Sequence, residues 1–253
     1  MPRIALRSLI AVAALAACSA PGERSLPLRG DAEADYAKIE LSAAAPAPPP
    51  DDAGSDTVVA EANRVRVAVF RHPDADRRWT SFKRVGAFGT PPVFLVEEER
   101  DDWLRVLLPM EPNGSEGWIR ARDVKLYGHD LRLEVDLSDR RLTAYRGDEV
   151  LMREPVAVGK RSTPTPTGRF FTTVLVKPDD PSGVYGPYAW GLSAYSEALP
   201  TFAGGDGQVA IHGTNAPWYI GDAVSHGCVR VRNDVIRKLA RLLPLGTPVE
   251  ITP

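Results

Sequence analysis

Clustered basic residues are missing from this 253-residue sequence. Its 31 lysines and arginines stand against 33 acidic residues, and no basic run is longer than pairs such as Arg77–Arg78 and Arg140–Arg141. A nucleic-acid partner requires a concentrated positive patch, so we expect none. The hydrophobic content of 43% is enough for one large domain or two small ones, each with a buried core.

A long membrane-spanning run is also missing. The apolar stretch Leu9–Ala17 is too short for a permanent transmembrane helix and follows Arg3 and Arg7, which is typical of a secretory signal. Its end, "LAAC", resembles the lipobox of bacterial lipoproteins, in which the cysteine is acylated. The resemblance implies a signal peptide over residues 1–17, a lipidated Cys18, and an exported protein anchored to a bacterial membrane, facing the wall or periplasm. An ordinary cleaved signal is the alternative.

Cysteine occurs only twice, as Cys18 and Cys228. If Cys18 carries lipid, Cys228 is the only free thiol and has no partner for an intramolecular disulfide. An unpaired cysteine in an exported protein indicates a reactive thiol.

Residues 18–62 show no strand pattern. The tract "SAAAPAPPPDDAGSD", residues 42–56, consists mainly of alanine, proline and aspartate and lacks the apolar surface needed to fold. We therefore expect a disordered linker between the lipidated cysteine and the folded part of the chain.

Short apolar runs separated by turn residues characterise residues 63–127 and predict a small five-stranded barrel. The stretches "DDWLRVLLP" and "GSEGWIRARDVKLY" resemble a bacterial SH3 domain, with Trp103 and Trp118 as barrel signatures. We see no catalytic constellation here, since the one histidine, His72, precedes a proline in a predicted surface loop.

Residues 129–253 predict a second, mostly β domain. Apolar and polar residues alternate over 131–137, and two further strands follow across turns, which indicates two successive hairpins. One helix is expected, capped by Asn233 and ended by Pro244. The predicted fold is mainly β: an SH3-like barrel, then a β-rich domain with a short C-terminal helix, which we expect to be competent by itself.

The stretch "SHGC" places Cys228 beside His226, and His212 ends the strand-like run "QVAIH". An imidazole within reach of a thiol can take its proton, which would make Cys228 a nucleophile. No histidine follows Cys228, so the nucleophile-first order of papain-like peptidases is unavailable. Two alternatives stay open: a zinc site formed by these residues with His129, and a buried structural thiol.

Geometry favours His212 as the base. If residues 225–229 were extended, His226 and Cys228 would share a face but lie roughly 6.6 Å apart along the strand. That separation is too long for a direct hydrogen bond unless Gly227 turns the chain. His212, at the end of a strand, is free to approach Cys228 from a neighbouring strand.

The segment "AIHGTNAPWYIGDAVSHGCVRV", residues 210–231, resembles the active-site signature of L,D-transpeptidases of the YkuD type. "TPTPTGRF", "YGPYAWGLSAYS" and "LPLGTPVEI" resemble the framework of that family, so the similarity covers about residues 129–253. It implies that Cys228 attacks a peptidoglycan stem tetrapeptide, releases D-alanine and forms a thioester. An amine from a neighbouring stem then completes a cross-link, whereas water would make the enzyme a carboxypeptidase.

The resemblance also implies individual roles. His212 matches the general base, oriented by the backbone carbonyl of Gly213, and the N–H groups of Gly227 and Cys228 would bind the oxyanion. Ser225 and His226 match the remaining polar positions of the motif, where a structural or substrate-orienting role and a direct role both stay open.

Substrate contacts are less defined by the motif. Arg230 would pair with a stem carboxylate or brace the loop. Three aromatic residues would line the groove or belong to the core: Tyr185, Tyr188 and Trp190.

The expected partners are peptidoglycan stem peptides and, through the N-terminal lipid, a membrane; the resemblance implies no metal and no cofactor. A zinc-dependent wall hydrolase and a non-enzymatic wall-binding lipoprotein remain as alternatives.

Overall fold

The computed structural model describes residues 40–47, 56–202 and 205–253. The expected signal peptide, Cys18 and most of the predicted linker lie outside the described residues. Within the described part of the chain, no helix is both long and apolar enough to cross a membrane.

Strands dominate the structure, which confirms the mainly β prediction. In chain order they are β1 (Leu41–Ala43), β2 (Thr57–Ala62), β3 (Arg66–Val69), β4 (Thr80–Lys83), β5 (Val93–Arg100), β6 (Trp103–Leu107), β7 (Glu116–Arg120), β8 (Val124–His129), β9 (Leu131–Asp136), β10 (Arg141–Arg146), β11 (Glu149–Pro155), β12 (Val158–Gly159), β13 (Gly168–Pro178), β14 (Ala189–Tyr195), β15 (Gln208–His212), β16 (Ala223–Ser225), β17 (Val229–Arg230) and β18 (Pro248–Thr252). Helix α1 spans Asn233–Leu242, and three short 3-10 helices cover Ala87–Gly89, Ala121–Asp123 and Pro217–Tyr219.

The first sheet has five strands in the order β7-β6-β5-β2-β8, and β3 and β4 form a separate hairpin. One interior strand corrects the predicted linker boundary, because β2 (Thr57–Ala62) pairs with both β5 and β8. Val59 and Ala60 of β2 are fully buried. The short run "TVVAEA" follows an Ala-rich tract, which disguised its strand character. The likeness of this sheet to an SH3 barrel stays a prediction.

Strand β1 corrects the linker prediction a second time. Leu41–Ala43 pairs antiparallel with β13, and the next residue, Ala44, donates its backbone N–H to Leu175 O at 2.8 Å. Backbone pairing of this kind needs an exposed strand edge rather than apolar side chains. The composition of the tract therefore could not reveal it.

The second sheet has nine strands, with the path β11-β10-β9-β18-β13-β14-β15-β17 and β1 beside β13. The two predicted hairpins are confirmed as the antiparallel series β9-β10-β11. The long strand β13 joins the halves of the sheet, because its first residues pair with β18 and its later ones with β14. At the far end, β15 and β17 run parallel.

Helix α1 confirms the single predicted helix, and its buried residues Val235, Ile236 and Leu239 recur at helical spacing. The cap was predicted wrongly. Arg232 occupies the N-cap position without a side-chain cap, and Asn233 is the first helical residue. The Asn233 side chain instead accepts a hydrogen bond from Thr214 N at 2.8 Å.

The two sheets share part of a hydrophobic core, and the first sheet has a second core cluster of its own around Phe94, Leu104 and Ile119. Four residues of the first sheet lie in the same cluster as the core of the second: Val59, Val93, Leu95 and Leu107. Polar contacts join the sheets as well, since Tyr127 donates to Leu245 O at 3.1 Å and Arg169 pairs with Glu97 at 2.6 Å. This shared core argues against the expectation that residues 129–253 are competent by themselves.

We predict that Leu95→Ala destabilises both sheets together. Leu95 is 1% exposed, and truncating a buried leucine costs about 2–5 kcal/mol of unfolding free energy. Urea unfolding followed by circular dichroism and by reactivity of the Cys228 thiol should show one shifted transition for both probes. An unchanged midpoint for Cys228 would mean that the second sheet unfolds independently.

Candidate active site

Parallel pairing of β15 and β17 brings the segment that ends at His212 next to the "SHGC" segment that contains Cys228. His212 is the last residue of β15, and Cys228 directly precedes β17. The register sets Ile211 opposite Val229 and His212 opposite Arg230. The prediction that "QVAIH" is a strand ending at His212 is confirmed.

Both residues line one pocket. Its lining includes four of the predicted site residues, His212, His226, Cys228 and Arg230. His212 is almost completely buried at 1% exposure, and Cys228 is half-buried. The thiol and the imidazole therefore face the same enclosed space.

The His212 ring is oriented by a backbone carbonyl. Its Nδ1 lies 2.6 Å from Gly213 O, and the Tyr185 ring meets it edge-on at 5.0 Å. A carbonyl only accepts, so Nδ1 carries the proton and Nε2 presents a lone pair. Burial lowers the pKa of His212 to about 3, with a smaller contribution from the Arg230 charge, so the ring is neutral near pH 7.

The Cys228 thiol is protonated at rest. Burial raises its pKa, while a hydrogen bond from the Ala210 backbone and the positive charge of Arg230 act in the opposite direction. A thiol whose pKa lies above its usual value is almost wholly protonated near neutral pH. Cys228 and His212 are therefore a neutral pair, and the base would take the proton as the sulfur attacks.

A tight turn presents Cys228 to the pocket. The fully buried Ser225 donates its hydroxyl to Cys228 O at 2.6 Å and accepts the Gly227 N–H at 3.1 Å. Gly227 has φ +124°, which strongly favours glycine. The Ser225 carbonyl is held in turn by Thr163 Oγ1 and Lys160 N, both at 3.0 Å. Of the two roles left open for Ser225, the contacts support the structural one.

This turn bears on two expectations. The chain turns at Gly227, which is the stated exception to the separation of His226 and Cys228 by strand rise. The preference for His212 therefore rests on its hydrogen bond to Gly213. The Gly227 N–H, expected to bind the oxyanion, is held by the Ser225 hydroxyl instead.

Close packing surrounds Gly213. A Cβ at this position would collide with the Asn233 side-chain oxygen, which also accepts the Thr214 N–H at 2.8 Å. Asn233 thus fixes the backbone that follows the His212 base. Sequence reasoning missed this role, because an asparagine at a helix start is usually a cap.

The three aromatic candidates occupy different places. Tyr185 lines the pocket, and Tyr188 is half-buried against the core. Trp190 does not contact the groove, since it is fully buried in the main core. Side chains alternate along a strand, and β14 pairs Ala189 with His212, so Trp190 points to the opposite face with Ile211.

Sequence reasoning also missed one wall of the pocket. We call residues 196–207, which join β14 to β15, the rim loop; residues 203–204 lie outside the described part. It contributes Ser196, Leu199, Phe202 and Gly207 to the pocket lining. The Phe202 ring stacks on His226 at 5.1 Å. An irregular connection has no periodicity, so no sequence pattern identified this wall.

The zinc alternative finds no ligand set among the described residues, where no three His, Cys, Asp or Glu side chains are grouped to hold a metal. His129, its proposed fourth ligand, is buried at the end of β8 and accepts the Leu131 N–H at 3.2 Å.

Comparison with known proteins agrees with this geometry. Residues 130–251 match the YkuD family, described as the L,D-transpeptidase catalytic domain. This span is therefore similar to YkuD-like L,D-transpeptidase catalytic domains. The matched span begins one residue after the predicted boundary at His129.

Individual relatives match about half of this chain. A protein named L,D-transpeptidase YkuD from Bacillus licheniformis is 38% identical, and the match covers 48% of this chain and 66% of that protein. The protein of the same name from Bacillus subtilis is 36% identical, and the match covers 47% of this chain and 64% of that protein. The Escherichia coli L,D-transpeptidase ErfK/SrfK is 36% identical over 46% of this chain and 42% of its own. The matches thus span about two thirds of the Bacillus relatives. A solved L,D-transpeptidase from Mycobacterium smegmatis aligns with TM-score 0.40 and 18% identity over 64% of this chain and 91% of that chain.

We predict that the Cys228 thiol titrates at alkaline pH. Because burial raises the pKa of Cys228, its alkylation by iodoacetamide should accelerate only above the usual cysteine pKa of about 8.5. Arg230→Gln removes a charge that lowers this pKa, so its inflection should move to still higher pH. A rate plateau below pH 7 would indicate a preformed thiolate and contradict the neutral pair.

Proposed function

We propose that this protein is a peptidoglycan L,D-transpeptidase that works through a cysteinyl thioester. The observation that carries the proposal is the meeting of a carbonyl-oriented imidazole, His212, and an unpaired thiol, Cys228, in one pocket of a YkuD-like domain. A wall-binding lipoprotein without enzymatic activity would have no use for this arrangement.

Acylation begins when His212 Nε2 takes the Cys228 proton as the sulfur attacks the carbonyl of the diamino acid in the donor stem. The Cys228 N–H stabilises the resulting oxyanion, since the Gly227 N–H is already engaged. The carbon–nitrogen bond to D-alanine then breaks, and His212 returns the proton to the departing amine. A thioester between donor and Cys228 remains.

Deacylation uses the same groups in reverse order. The amine of an acceptor stem attacks the thioester carbonyl while His212 takes a proton from the nitrogen. The carbon–sulfur bond breaks, a new amide links the stems, and the proton returns to the Cys228 sulfur. Arg230, whose charge acts on both His212 and Cys228, is suited to hold a carboxylate of the stem.

We predict that Cys228→Ala abolishes cross-linking. Loss of a catalytic nucleophile typically lowers kcat by about 10³-fold or more. Isolated wall material incubated with the parent should yield cross-linked muropeptides that mass spectrometry identifies, and the variant should yield none. Leu126→Ala, a half-exposed residue of the first sheet, serves as a folded control. Equal product from parent and Cys228→Ala would refute the enzyme, and trimmed stems without cross-links would identify a carboxypeptidase.

We further propose that Cys18 is lipidated after removal of residues 1–17 and that the first sheet is an SH3-like module positioned between anchor and catalytic domain. The support comes from the "LAAC" sequence and its preceding basic and apolar residues.

We predict that Cys18→Ala releases the exported protein from the membrane fraction. Without acyl chains, no stable anchor remains. Fractionation of cells, with mass analysis of the mature N-terminus, measures both the location and the modification. Recovery of an unmodified parent in the aqueous fraction would show that the signal is an ordinary cleaved one.

A further inference from the structure

The rim loop begins directly after Tyr195, and the backbone of Tyr195 is held by a residue of the first sheet. Asn113 Oδ1 accepts the Tyr195 N–H at 2.8 Å, and Asn113 Nδ2 donates to Tyr195 O, also at 2.8 Å. The Tyr195 hydroxyl donates to Pro109 O at 3.2 Å. Three hydrogen bonds therefore join one residue of β14 to the turn between β6 and β7.

This turn is itself well braced. Leu108 N donates to Ser115 O at 2.8 Å, and the Ser115 hydroxyl donates to Pro112 O at 2.7 Å. Asn113 thus extends from a fixed turn rather than from a loose loop. Its amide presents an N–H donor and a carbonyl acceptor in one plane, as the backbone of a neighbouring strand would.

The pairing falls where β14 has lost its regular neighbour on the β13 edge, while Tyr195 still pairs with Gln208 of β15. Between Gly191 and Tyr195 the register of β14 against β15 shifts, which marks a bulge. The regular pairing of β14 with β13 ends at Leu192. Asn113 takes the place of a strand at this point and determines where the rim loop starts.

Ser196, which follows Tyr195, connects this hydrogen-bonded backbone to the surroundings of Cys228. Ser196 is buried, its N–H donates to Gly207 O at 2.9 Å, and its hydroxyl accepts the Leu199 N–H at 3.1 Å. A Cβ placed on Gly227 would lie 3.8 Å from Ser196 Oγ, so Ser196 lies beside the turn that presents Cys228.

We propose that Asn113 is a positioning residue for the substrate pocket: the first sheet, through its amide, holds the rim loop against the Cys228 turn. The inference rests on the proposed transpeptidase function and adds that the first sheet helps to position the walls of the active site. Asn113 touches no reacting atom, and it acts through Tyr195 and Ser196.

The first test is steady-state kinetics of Asn113→Ala in the full chain with a stem tetrapeptide donor. Losing two hydrogen bonds to the rim should raise KM roughly five- to tenfold while kcat stays within about twofold, because the Cys228–His212 pair is intact. Asn113→Asp retains the acceptor for the Tyr195 N–H, so its KM should lie between those of the parent and Asn113→Ala. If Asn113→Ala does not fold, Asn113→Asp alone decides the comparison.

The matched control is Arg169→Gln. It removes the 2.6 Å contact with Glu97, which joins the same two sheets without touching the rim loop. We expect its KM to equal that of the parent. A KM change as large as that of the Asn113 variants would show a general docking effect and overturn the proposal.

A second readout does not depend on turnover. Alkylation of Cys228 by bulky N-phenylmaleimide, relative to small iodoacetamide, reports how tightly the rim encloses the thiol, and mass analysis of the Cys228 peptide separates it from Cys18. Asn113→Ala should raise this ratio several-fold, and an unchanged ratio with an unchanged KM would refute the role. If the parent shows no turnover but the ratio still rises, the transpeptidase proposal fails and the positioning role stands.

Discussion

The parallel pairing of β15 with β17 is the constraint on which the site depends. It sets His212 opposite Arg230 and leaves Cys228 at the entrance of the paired segment. Both strands are short, so their alignment relies on neighbours: β14 on one side, and the Ser225 hydroxyl that closes the turn before β17. Chain elements distant in sequence thereby hold a thiol and an imidazole in one pocket without any covalent link.

Burial determines the chemistry of that pair. An enclosed pocket disfavours charge, so it lowers the pKa of His212 and raises that of Cys228. A carboxylate beside His212 would stabilise the imidazolium and raise the pKa of the ring. The Gly213 carbonyl instead orients the ring without a full charge. The design suits a base that accepts a proton during attack and returns it to the leaving amine.

The first sheet is structurally inseparable from this site. Its buried residues complete the core of the second sheet, and Asn113 pairs with the backbone at the start of the rim loop. A module joined only by a flexible linker would show neither feature. A shared core of this kind transmits a change in one sheet to the pocket in the other, because packed interiors deform little.

Local patterns in the sequence determined much of this protein. Alternating residues predicted the hairpins β9-β10-β11, helical spacing predicted α1, and the run ending at His212 together with "SHGC" identified the site. These signals depend on neighbours within a few positions, which periodicity records.

Tertiary structure alone decided the remaining features. Trp190 and Tyr185 lie close in sequence, yet Trp190 on β14 is buried in the core and Tyr185, in the turn before β14, lines the pocket. Asn233 supports Thr214 instead of capping its helix, and β1 pairs with β13 despite its composition. Each outcome depends on a contact with a residue that is distant in the chain. Local sequence patterns do not identify that residue.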